Sequence, residues 1–298
     1  MVEAVVIGCG TSHGVPMIGC GCSVCTSDDP KNKRTRSAVF LSGEGYNVLI
    51  DAPPELRLQL CREGISEIER VLITHSHADH VMGMDDLRRL TEITGEPVRV
   101  FAQPAVLDDL RRIYRYAFDR PAQVGGGLPT FELFSVWDGQ PSPNPSQAWE
   151  GDCEVAAGDI DPSTTLGMTG GSLGVTGGSL GMAGWLEPDI EVFEVMHGSL
   201  AVLGVKVRGF AYLTDVSEIP AYAEHRLRGL ETLVIDATRI KPHATHLNLE
   251  GALAVIDRLK PAKAYLTHLG HDYDYATWNE KLPRGVELSY DGLRIWIP

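Results

Sequence analysis

Apolar residues in this chain fall into short runs of the length expected for strands that are buried on both faces. These runs predict strands at residues 2–8, 37–41, 46–51, 71–74, 98–102, 190–196, 201–208, 210–214, 233–236, 264–267, 287–290 and 293–297. Apolar residues with helical spacing predict helices at 53–62, from 80 through 90, and at 104–117, 221–228 and 249–259. We expect strands 37–41 and 46–51 to form a hairpin, and the last two strands to pair with each other. Two blocks of strands with intervening helices predict an α/β sandwich with polar residues at its strand ends.

The segment from residue 124 to 188 departs from this pattern. It contains Pro141, Pro143 and Pro145, followed by a glycine-rich near-repeat of seven residues at 166–183. Glycine and serine at this density oppose both a stable helix and a membrane span, so we interpret the segment as a poorly ordered, low-complexity loop. Strand patterns resume directly after it. We therefore predict a single domain over residues 1–298, with 124–188 as an insertion in it.

Composition and charge narrow the classes of function. The chain has 298 residues, of which 43% are hydrophobic, and this share is large enough for a buried core. The formal net charge of −14 argues against nucleic acid and anionic membranes as partners. Six cysteines are too few for a disulfide scaffold, and the N-terminal residues lack the pattern of a signal peptide. We expect a cytoplasmic protein that does not bind membranes, with its assembly left open between a monomer and a homodimer.

The most informative motif is His75-Ser76-His77-Ala78-Asp79-His80, which directly follows the predicted strand 71–74. His75 and His77 project to the same side of an extended chain, because side chains alternate along a strand. Asp79 and His80 lie where the chain turns into a helix, which directs them to an adjacent point. One loop can therefore supply ligands to two neighbouring cations, and imidazole with carboxylate suits Zn, Mn or Fe.

Further candidate ligands follow other predicted strands. His197 follows strand 190–196, Asp215 follows strand 210–214, and His268 follows strand 264–267. Together with the four candidate ligands of the first loop, they bring the candidate set to seven. Seven side chains are enough for two divalent ions that share one carboxylate.

These residues resemble the metallo-β-lactamase superfamily, and three further motifs are similar to its cyclic-phosphodiesterase branch. The motifs are residues 10–16 (Gly-Thr-Ser-His-Gly-Val-Pro), the cysteines at 20, 22 and 25, and residues 77–87. The resemblance covers residues 1–120 and 189–298 and implies a four-layer αββα sandwich, the metallo-β-lactamase fold. It also implies two metal sites with one shared ligand. One ion would be held by His75, His77 and His197, the second by Asp79, His80 and His268, and both by Asp215.

A cysteine cluster predicts a separate structural zinc site. Cys20, Cys22 and Cys25 lie on one short loop and can present three thiolates to a tetrahedral ion. A fourth ligand is required, and His271 stands three residues after His268. The resemblance implies that His271 completes this set. The expected cofactors are therefore two divalent ions (Zn or Mn, with Fe as a further candidate) and one structural Zn.

Three more residues have candidate roles beside the metal ions. His246 precedes the predicted helix 249–259 and matches the residue that, in the resembling branch, protonates the leaving oxygen. His243 is the nearby alternative for this role. Asp51 ends strand 46–51 and is expected to accept a hydrogen bond from a metal-bound histidine.

Four further charged residues lie close to these motifs in the sequence. Asp85 and Asp86 are interpreted as carboxylates near the start of a helix, where the helix dipole favours negative charge. Arg34 and Arg36 are interpreted as surface arginines, with contact to a substrate phosphate as the alternative.

The ligand set and the charge predict a hydrolase that acts on a small anionic phosphodiester. Two divalent ions, two ligand carboxylates and a bridging hydroxide leave a formal charge of about +1, which a phosphodiester neutralises. We therefore expect a metal-dependent phosphodiesterase in which the bridging hydroxide attacks phosphorus, with a cyclic phosphodiester as the expected substrate. In this hypothesis Asp79 and His246 act in catalysis, and His246 protonates the leaving group.

Three alternatives differ in substrate or in class. A transfer-RNA 3′ endonuclease needs a basic docking arm, and residues 124–188 contain neither lysine nor arginine. A thioesterase or lactonase would use the same metal centre on a carbonyl group and stays open. A binding protein of the pyrroloquinoline quinone biosynthesis type shares the cysteine cluster but departs from the catalytic ligand set, whereas this chain has all seven candidate ligands.

Overall fold

The computed structural model of the protein describes residues 2–43, 45–118, 127–137 and 189–298. Its strands are β1 (Val2–Gly8), β2 (Ala38–Gly43), β3 (Tyr46–Ile50), β4 (Arg70–Leu72), β5 (Val98–Ala102), β6 (Phe131–Ser135), β7 (Ile190–His197), β8 (Leu200–Val207), β9 (Phe210–Leu213), β10 (Thr232–Asp236), β11 (Lys263–Thr267), β12 (Val286–Leu288) and β13 (Leu293–Ile297). Its α-helices are α1 (Leu56–Glu63), α2 (Ala78–Val81), α3 (Arg88–Thr94), α4 (Pro104–Ile113), α5 (Arg115–Phe118), α6 (Ala221–Arg226), α7 (Leu249–Leu259) and α8 (Tyr275–Asn279). Among the helices in these ranges, none has the length and apolar character required to cross a bilayer.

The described strands form two mixed sheets. The first has the order β13-β1-β2-β3-β4-β5-β6, and the second has the order β12-β11-β10-β9-β8-β7. Strands β3 to β6 run parallel in the first sheet, and strands β9 to β12 run parallel in the second. The carboxyl ends of parallel neighbours meet at one edge of a sheet, which is where ligands commonly bind in α/β folds.

Three buried apolar clusters define the layers. Val2, Ala4 and Val6 of β1 belong to the cluster between the two sheets. Val5 and Ile7, which alternate with them, belong to the cluster that joins the first sheet to α1, α3 and α4. A third cluster joins the second sheet to α6 and α7. The order of layers is helix, sheet, sheet, helix, so the predicted four-layer αββα sandwich is confirmed.

The predicted pairing of the last two strands is wrong. β12 pairs in parallel with β11 in the second sheet, whereas β13 pairs antiparallel with β1 in the first. The chain crosses between the sheets here, with the Ser289 N–H donating to the Leu266 carbonyl and the Gly292 N–H donating to the Val6 carbonyl. A short apolar run identifies a strand but not its partner, which explains the error.

Two predicted helices, 80–90 and 104–117, are divided in the structure, the second of them into α4 and α5. Strand β6 and helix α8 were not predicted. The helix expected from 80 through 90 is replaced by α2, a 3₁₀ turn (Met84–Leu87) and α3, and Gly83 precedes that turn. A Cβ at Gly83 would lie 1.9 Å from the Pro53 carbonyl oxygen, so the close approach of these segments requires glycine. β6 lies within the range interpreted as an insertion, yet it pairs in parallel with β5. The rest of that range, 124–126 and 138–188, lies outside the described residues.

Candidate active site

Polar residues from both sheets meet where the parallel strands end. In the first sheet, Asp51 follows β3 and the 75–80 motif follows β4; in the second, His197 ends β7, Asp215 follows β9, Asp236 ends β10 and His268 follows β11. Asp51, Asp215 and His268 have φ angles of 65°, 53° and 55°. Such left-handed backbone is strained in residues other than glycine and persists where surrounding contacts impose it, commonly at functional sites.

A first group of candidate ligands consists of His75, His77, His197 and Asp215. One ligand atom from each of them lies within 4.8 Å of the others. The ring centroids of His75 and His77 are 4.5 Å apart, and those of His77 and His197 are 5.2 Å apart. The first sheet thus supplies two imidazoles to this group, and the second sheet supplies an imidazole and a carboxylate.

A second group consists of Asp79, His80, Asp215 and His268, with the same 4.8 Å limit between ligand atoms. The Asp215 Oδ2 atom lies 3.1 Å from His80 Nε2, and its Oδ1 atom lies 3.4 Å from His268 Nε2. Asp215 belongs to both groups, which is the placement expected of a shared ligand. The structure therefore brings together all seven side chains that the sequence predicts as ligands.

In the first sheet, Asp51 holds two imidazoles in a defined orientation. His80 Nδ1 donates to Asp51 Oδ2 over 2.7 Å. The Thr74 hydroxyl donates to the same carboxylate and lies 3.0 Å from His75 Nδ1, so its oxygen accepts the Nδ1 proton of His75. Protons on the Nδ1 atoms leave the Nε2 lone pairs free to face the ligand groups. The predicted contact between Asp51 and a candidate ligand histidine is present.

In the second sheet, Asp236 orients the His268 imidazole through a threonine, as Asp51 orients that of His75. The Thr238 hydroxyl donates to Asp236 Oδ1 over 2.6 Å and lies 3.1 Å from His268 Nδ1. His197 Nδ1 is instead directed to the Thr245 carbonyl oxygen at 2.6 Å. These Nδ1 contacts therefore direct the Nε2 atoms of His268 and His197 to the ligand groups.

The donor atoms fit divalent metal ions. The Nε2 atoms of His75, His80 and His268 are buried and lack a hydrogen-bond partner among the described residues. A buried polar atom without a partner costs about 1–3 kcal/mol, so three such atoms at one place indicate a ligand that is bound there. Imidazole and carboxylate donors suit Zn, Mn and Fe, and the fold implies divalent ions at this edge.

The electrostatics of the centre favour ionised carboxylates. Burial raises the pKa of Asp79, but the nearby imidazoles of His268 and His80 outweigh it and hold that pKa below its usual range. Burial also lowers the pKa of His268, while Asp215 and Asp79 raise it to about 9. At neutral pH the carboxylates are therefore charged, and a metal ion must displace a proton from His268.

Manganese is expected to stabilise the chelator-treated protein, because it binds the oxygen and nitrogen donors and has little affinity for the thiolates. At a free ion concentration of about 100 Kd, each occupied site adds about 2.7 kcal/mol to the free energy of unfolding. For a chain of this size we expect Tm to rise by about 5–10 °C per site. Thermal unfolding with and without Mn²⁺ measures this rise in Tm. The control variant His225→Ala, which changes a residue outside both groups, should show the same rise. An unchanged Tm in the unmodified protein would refute the metal sites.

His246 lies beside the second group and is held by Asp236. Its Nδ1 atom donates to Asp236 Oδ2 over 2.7 Å, and its ring stacks on His268 with centroids 4.9 Å apart. The carboxylate fixes the orientation of the ring, which suits a group that transfers a proton at a defined position. His243 differs, because its Nδ1 atom accepts the backbone N–H of Thr245 over 3.2 Å. The geometry therefore favours His246 over His243 as the acid.

The cysteine cluster forms a separate group at the N-terminal loop. The Sγ atoms of Cys20, Cys22 and Cys25 lie 3.2, 3.5 and 3.6 Å from His271 Nδ1. Their ligand atoms all lie within 4.8 Å of one another, and three thiolates with one imidazole form a closed zinc set. The geometry thus brings together the four residues that the sequence predicts for structural zinc.

Zinc affinity at this cluster is expected to rise with pH. Burial raises the pKa of the Cys25 thiol to about 11, so zinc must displace its proton at neutral pH. The backbone N–H of Cys25 lowers the pKa of Cys22 to about 6, so Cys22 adds a further proton competition only below pH 6. Competition titrations with a chelating dye should show affinity rising about tenfold or more per pH unit above pH 7. Cys61→Ser, outside the cluster, should give the same profile, and a flat profile would contradict this account.

The four charged residues that lie near the motifs in sequence differ in their structural environment. The surface interpretation of Arg34 is wrong, because its guanidinium is buried and donates to the backbone carbonyls of Gly270 and Tyr273. Arg36 is half-buried, pairs with Glu55 and donates to the Ser12 carbonyl. Asp85 and Asp86 lie in the first turn of the 3₁₀ segment, as expected from their position near a helix start.

Three buried residues were missed by sequence reasoning. Asp236 holds His246 and, through Thr238, His268, while Thr74 connects Asp51 to His75. Asp236 gave a usable signal, since it ends an apolar strand as Asp51 does. The two threonines gave none, because a threonine at a strand end is common and one partner of each, Asp51 for Thr74 and His268 for Thr238, is remote in sequence.

Comparison with known proteins agrees with this architecture. The family model for the beta-lactamase superfamily domain matches residues 46–269. A crystal structure of a new diphosphatase from the PhnP family is 31% identical, with a TM-score of 0.77, over 100% of this chain and 98% of that one. The chain therefore belongs to the metallo-β-lactamase superfamily and, within it, to the PhnP family.

Two other relatives are informative. An octanoyltransferase of Porphyromonas gingivalis is 32% identical over 299 aligned residues, covering 99% of this chain and 52% of that protein. The chain thus spans about half the length of this relative. The Zn²⁺-bound PqqB of Methylobacterium extorquens has a TM-score of 0.67 at 17% identity, over 99% of this chain and 100% of that one, which shows a shared fold.

Proposed function

We propose that this protein is a metal-dependent phosphodiesterase that uses two divalent ions, Zn or Mn with Fe as a further candidate, to hydrolyse a small phosphodiester. A cyclic phosphodiester is the first substrate to test. The observation that supports this most is the position of Asp215 in both ligand groups, with His246 stacked beside the second. A pair of neighbouring ions suits phosphodiester cleavage because it stabilises both the attacking and the leaving oxygen.

The residues divide the task between holding ions and orienting ligands. His75, His77 and His197 would hold one ion, Asp79, His80 and His268 the second, and Asp215 both. When bound, the ions would polarise the phosphoryl group and supply an activated water. Asp51 and Asp236 keep the imidazoles in the tautomer that ligates.

His246 would supply the proton to the leaving oxygen. Its Nδ1 proton is used on Asp236, so the proton for transfer would be held at Nε2. General acid catalysis of this kind contributes about 10²–10⁴-fold to a rate.

A cleft beside His246 supports a small anionic substrate. It has a volume of about 360 Å³, and His13, Arg239, Lys241 and His243 are among the residues that line it. Arg239 and Lys241 bring two positive charges to this cleft against one carboxylate, Asp272, in a protein with a formal net charge of −14. The volume lies in the range of small-molecule sites.

A substrate screen with a metal count tests the proposal. Protein loaded with Mn²⁺ or Zn²⁺ is assayed with bis(p-nitrophenyl) phosphate, with cyclic nucleotides and, because the PhnP-family relative is a diphosphatase, with diphosphate compounds. We expect turnover that chelation abolishes, and about two catalytic ions with one structural zinc per chain. A fully metallated protein without turnover on phosphodiesters would refute the proposal, and zinc at the cysteine cluster alone would favour a binding protein.

A thioesterase is the second candidate, and the octanoyltransferase relative favours it. The same ion pair can polarise a thioester carbonyl, so the ligand groups alone do not separate the two activities. The metallated protein is therefore also assayed with an octanoyl thioester. Faster turnover on the thioester than on every phosphodiester would favour this second candidate.

A further inference from the structure

One loop, residues 268–273, carries both a candidate catalytic ligand and a candidate zinc ligand. His268 stands at its start, and His271 follows three residues later. Arg34 reaches this loop from the segment after the cysteine cluster. Its Nη1 atom donates to the Gly270 carbonyl over 3.0 Å and its Nη2 atom to the Tyr273 carbonyl over 2.6 Å. The guanidinium therefore forms hydrogen bonds to the backbone on both sides of His271.

The backbone around Arg34 and the loop is tightly connected. The Arg34 N–H and carbonyl pair with Val15, both over 2.8 Å, which places Arg34 on a short bridge next to the N-terminal loop. Three further backbone hydrogen bonds fix the start of the loop: Leu269 N–H to Cys9 O, Thr11 N–H to Leu269 O, and Gly270 N–H to Thr238 O. A displacement of the loop would therefore move His268 and His271 together.

The placement of Arg34 is energetically expensive. The side chain is only 1% exposed, and its partners are the two carbonyls and Asn32 Oδ1 at 3.2 Å. Within the described residues no carboxylate forms an ion pair with it. Burial lowers the pKa of its guanidinium, which nearby acidic groups only partly oppose. The cost of burying this guanidinium is offset by its hydrogen bonds, two of which go to the backbone of the loop that carries His268 and His271.

We propose that Arg34 is a positioning residue that couples the cysteine cluster to the second ligand group. It fixes the loop that carries His268 and His271, so both sites depend on it, whereas the site of His75, His77 and His197 does not. The inference rests on the metal sites of the proposed function. It adds a coupling between them that neither ligand set contains by itself.

Metal affinities of Arg34→Met and Arg34→Lys test this coupling. Competition titrations with a chelating dye measure each Zn²⁺ affinity, and Co²⁺ spectra distinguish thiolate from imidazole sites. In Arg34→Met we expect the metal affinity to fall by about 10–100-fold at the cysteine cluster and at the second ligand group, which contains His268. The affinity of the first ligand group should stay unchanged. Arg34→Lys can reach one carbonyl only and should lie between Arg34→Met and the unmodified protein. Millimolar guanidinium ion should partly restore the affinities of Arg34→Ala.

Arg62→Met is a control for the loss of an arginine that donates to a backbone carbonyl, that of Ile7, without contacting the loop; unlike Arg34, Arg62 is exposed. It should keep all three affinities. An equal loss at all three sites of Arg34→Met and Arg34→Lys would indicate general destabilisation and overturn the inference, as would unchanged affinities. Failure of the proposed function itself would be recognised separately, because the unmodified protein would then fail to bind ions at the histidine and aspartate groups.

Discussion

The Asp215→Asn variant is expected to lose phosphodiesterase activity by about 10³-fold or more, together with metal from both ligand groups. Asp215 is the carboxylate common to these groups, with oxygens 3.1 and 3.4 Å from His80 Nε2 and His268 Nε2. An amide keeps the size of the side chain but removes the charge that offsets two cations. Asparagine also tolerates the left-handed backbone at this position better than most residues, so the fold should persist.

Metal analysis and kcat/KM measured on the same preparation check this expectation. Asp86→Asn is the control, because Asp86 accepts a backbone N–H from Arg57 and belongs to neither ligand group. The control should keep its metal and its activity. If Asp215→Asn bound two catalytic ions and kept activity within about tenfold, the shared-ligand role would be wrong.

The His246→Ala variant is expected to show a loss that depends on the leaving group. For a cyclic nucleotide, whose leaving alkoxide needs a proton, kcat should fall by about 10²–10⁴-fold. For bis(p-nitrophenyl) phosphate, whose phenolate leaves without one, the fall should be below about tenfold. This difference is specific to a proton donor, since a metal ligand or a packing residue would affect both substrates alike.

His243→Ala is the matched comparison for this experiment, because both histidines lie by the same cleft and their ring centroids are 4.8 Å apart. Only His246 is hydrogen-bonded to Asp236, so His243→Ala should show no dependence on the leaving group. The reverse pattern would transfer the acid role to His243. Equal losses on both substrates in His246→Ala would remove the acid role from His246.

Much of the sandwich could be predicted because its strands are apolar and its helices periodic. Helix α7 was predicted with its observed bounds, 249–259, and the seven candidate ligands follow strands whose ends meet. The spacing of the 75–80 motif is itself informative, since alternation places His75 and His77 on the same side of the chain. These features depend on neighbours in sequence, which a single chain displays directly.

The features that were missed depend on partners remote in sequence. Strand β13 pairs with β1, nearly the whole chain away, and a short apolar run does not encode that partner. The residues next to Arg34 in sequence do not distinguish it from a surface arginine, because its partners Gly270 and Tyr273 lie more than 200 residues away. Asp236 resembles an ordinary strand-end residue, and its contact with His246 depends on how the segment after β10 folds back onto the strand end. Such contacts are set by tertiary packing, on which local patterns carry little information.

Each sheet contributes one buried carboxylate that restrains two imidazoles, directly or through a threonine: Asp51 in the first and Asp236 in the second. Both rings restrained by Asp51 belong to the two ligand groups, whereas Asp236 restrains one ring of the second group, His268, and the candidate acid His246, which forms a third cluster of possible ligand atoms with Asp236 and His268. Under the proposed function, the same kind of support would serve coordination in one half and proton delivery in the other. Only the direction of the free nitrogen separates the two uses. In this chain the segment between β10 and α7, which carries His246, can thus be varied to change proton delivery while both carboxylates stay in place.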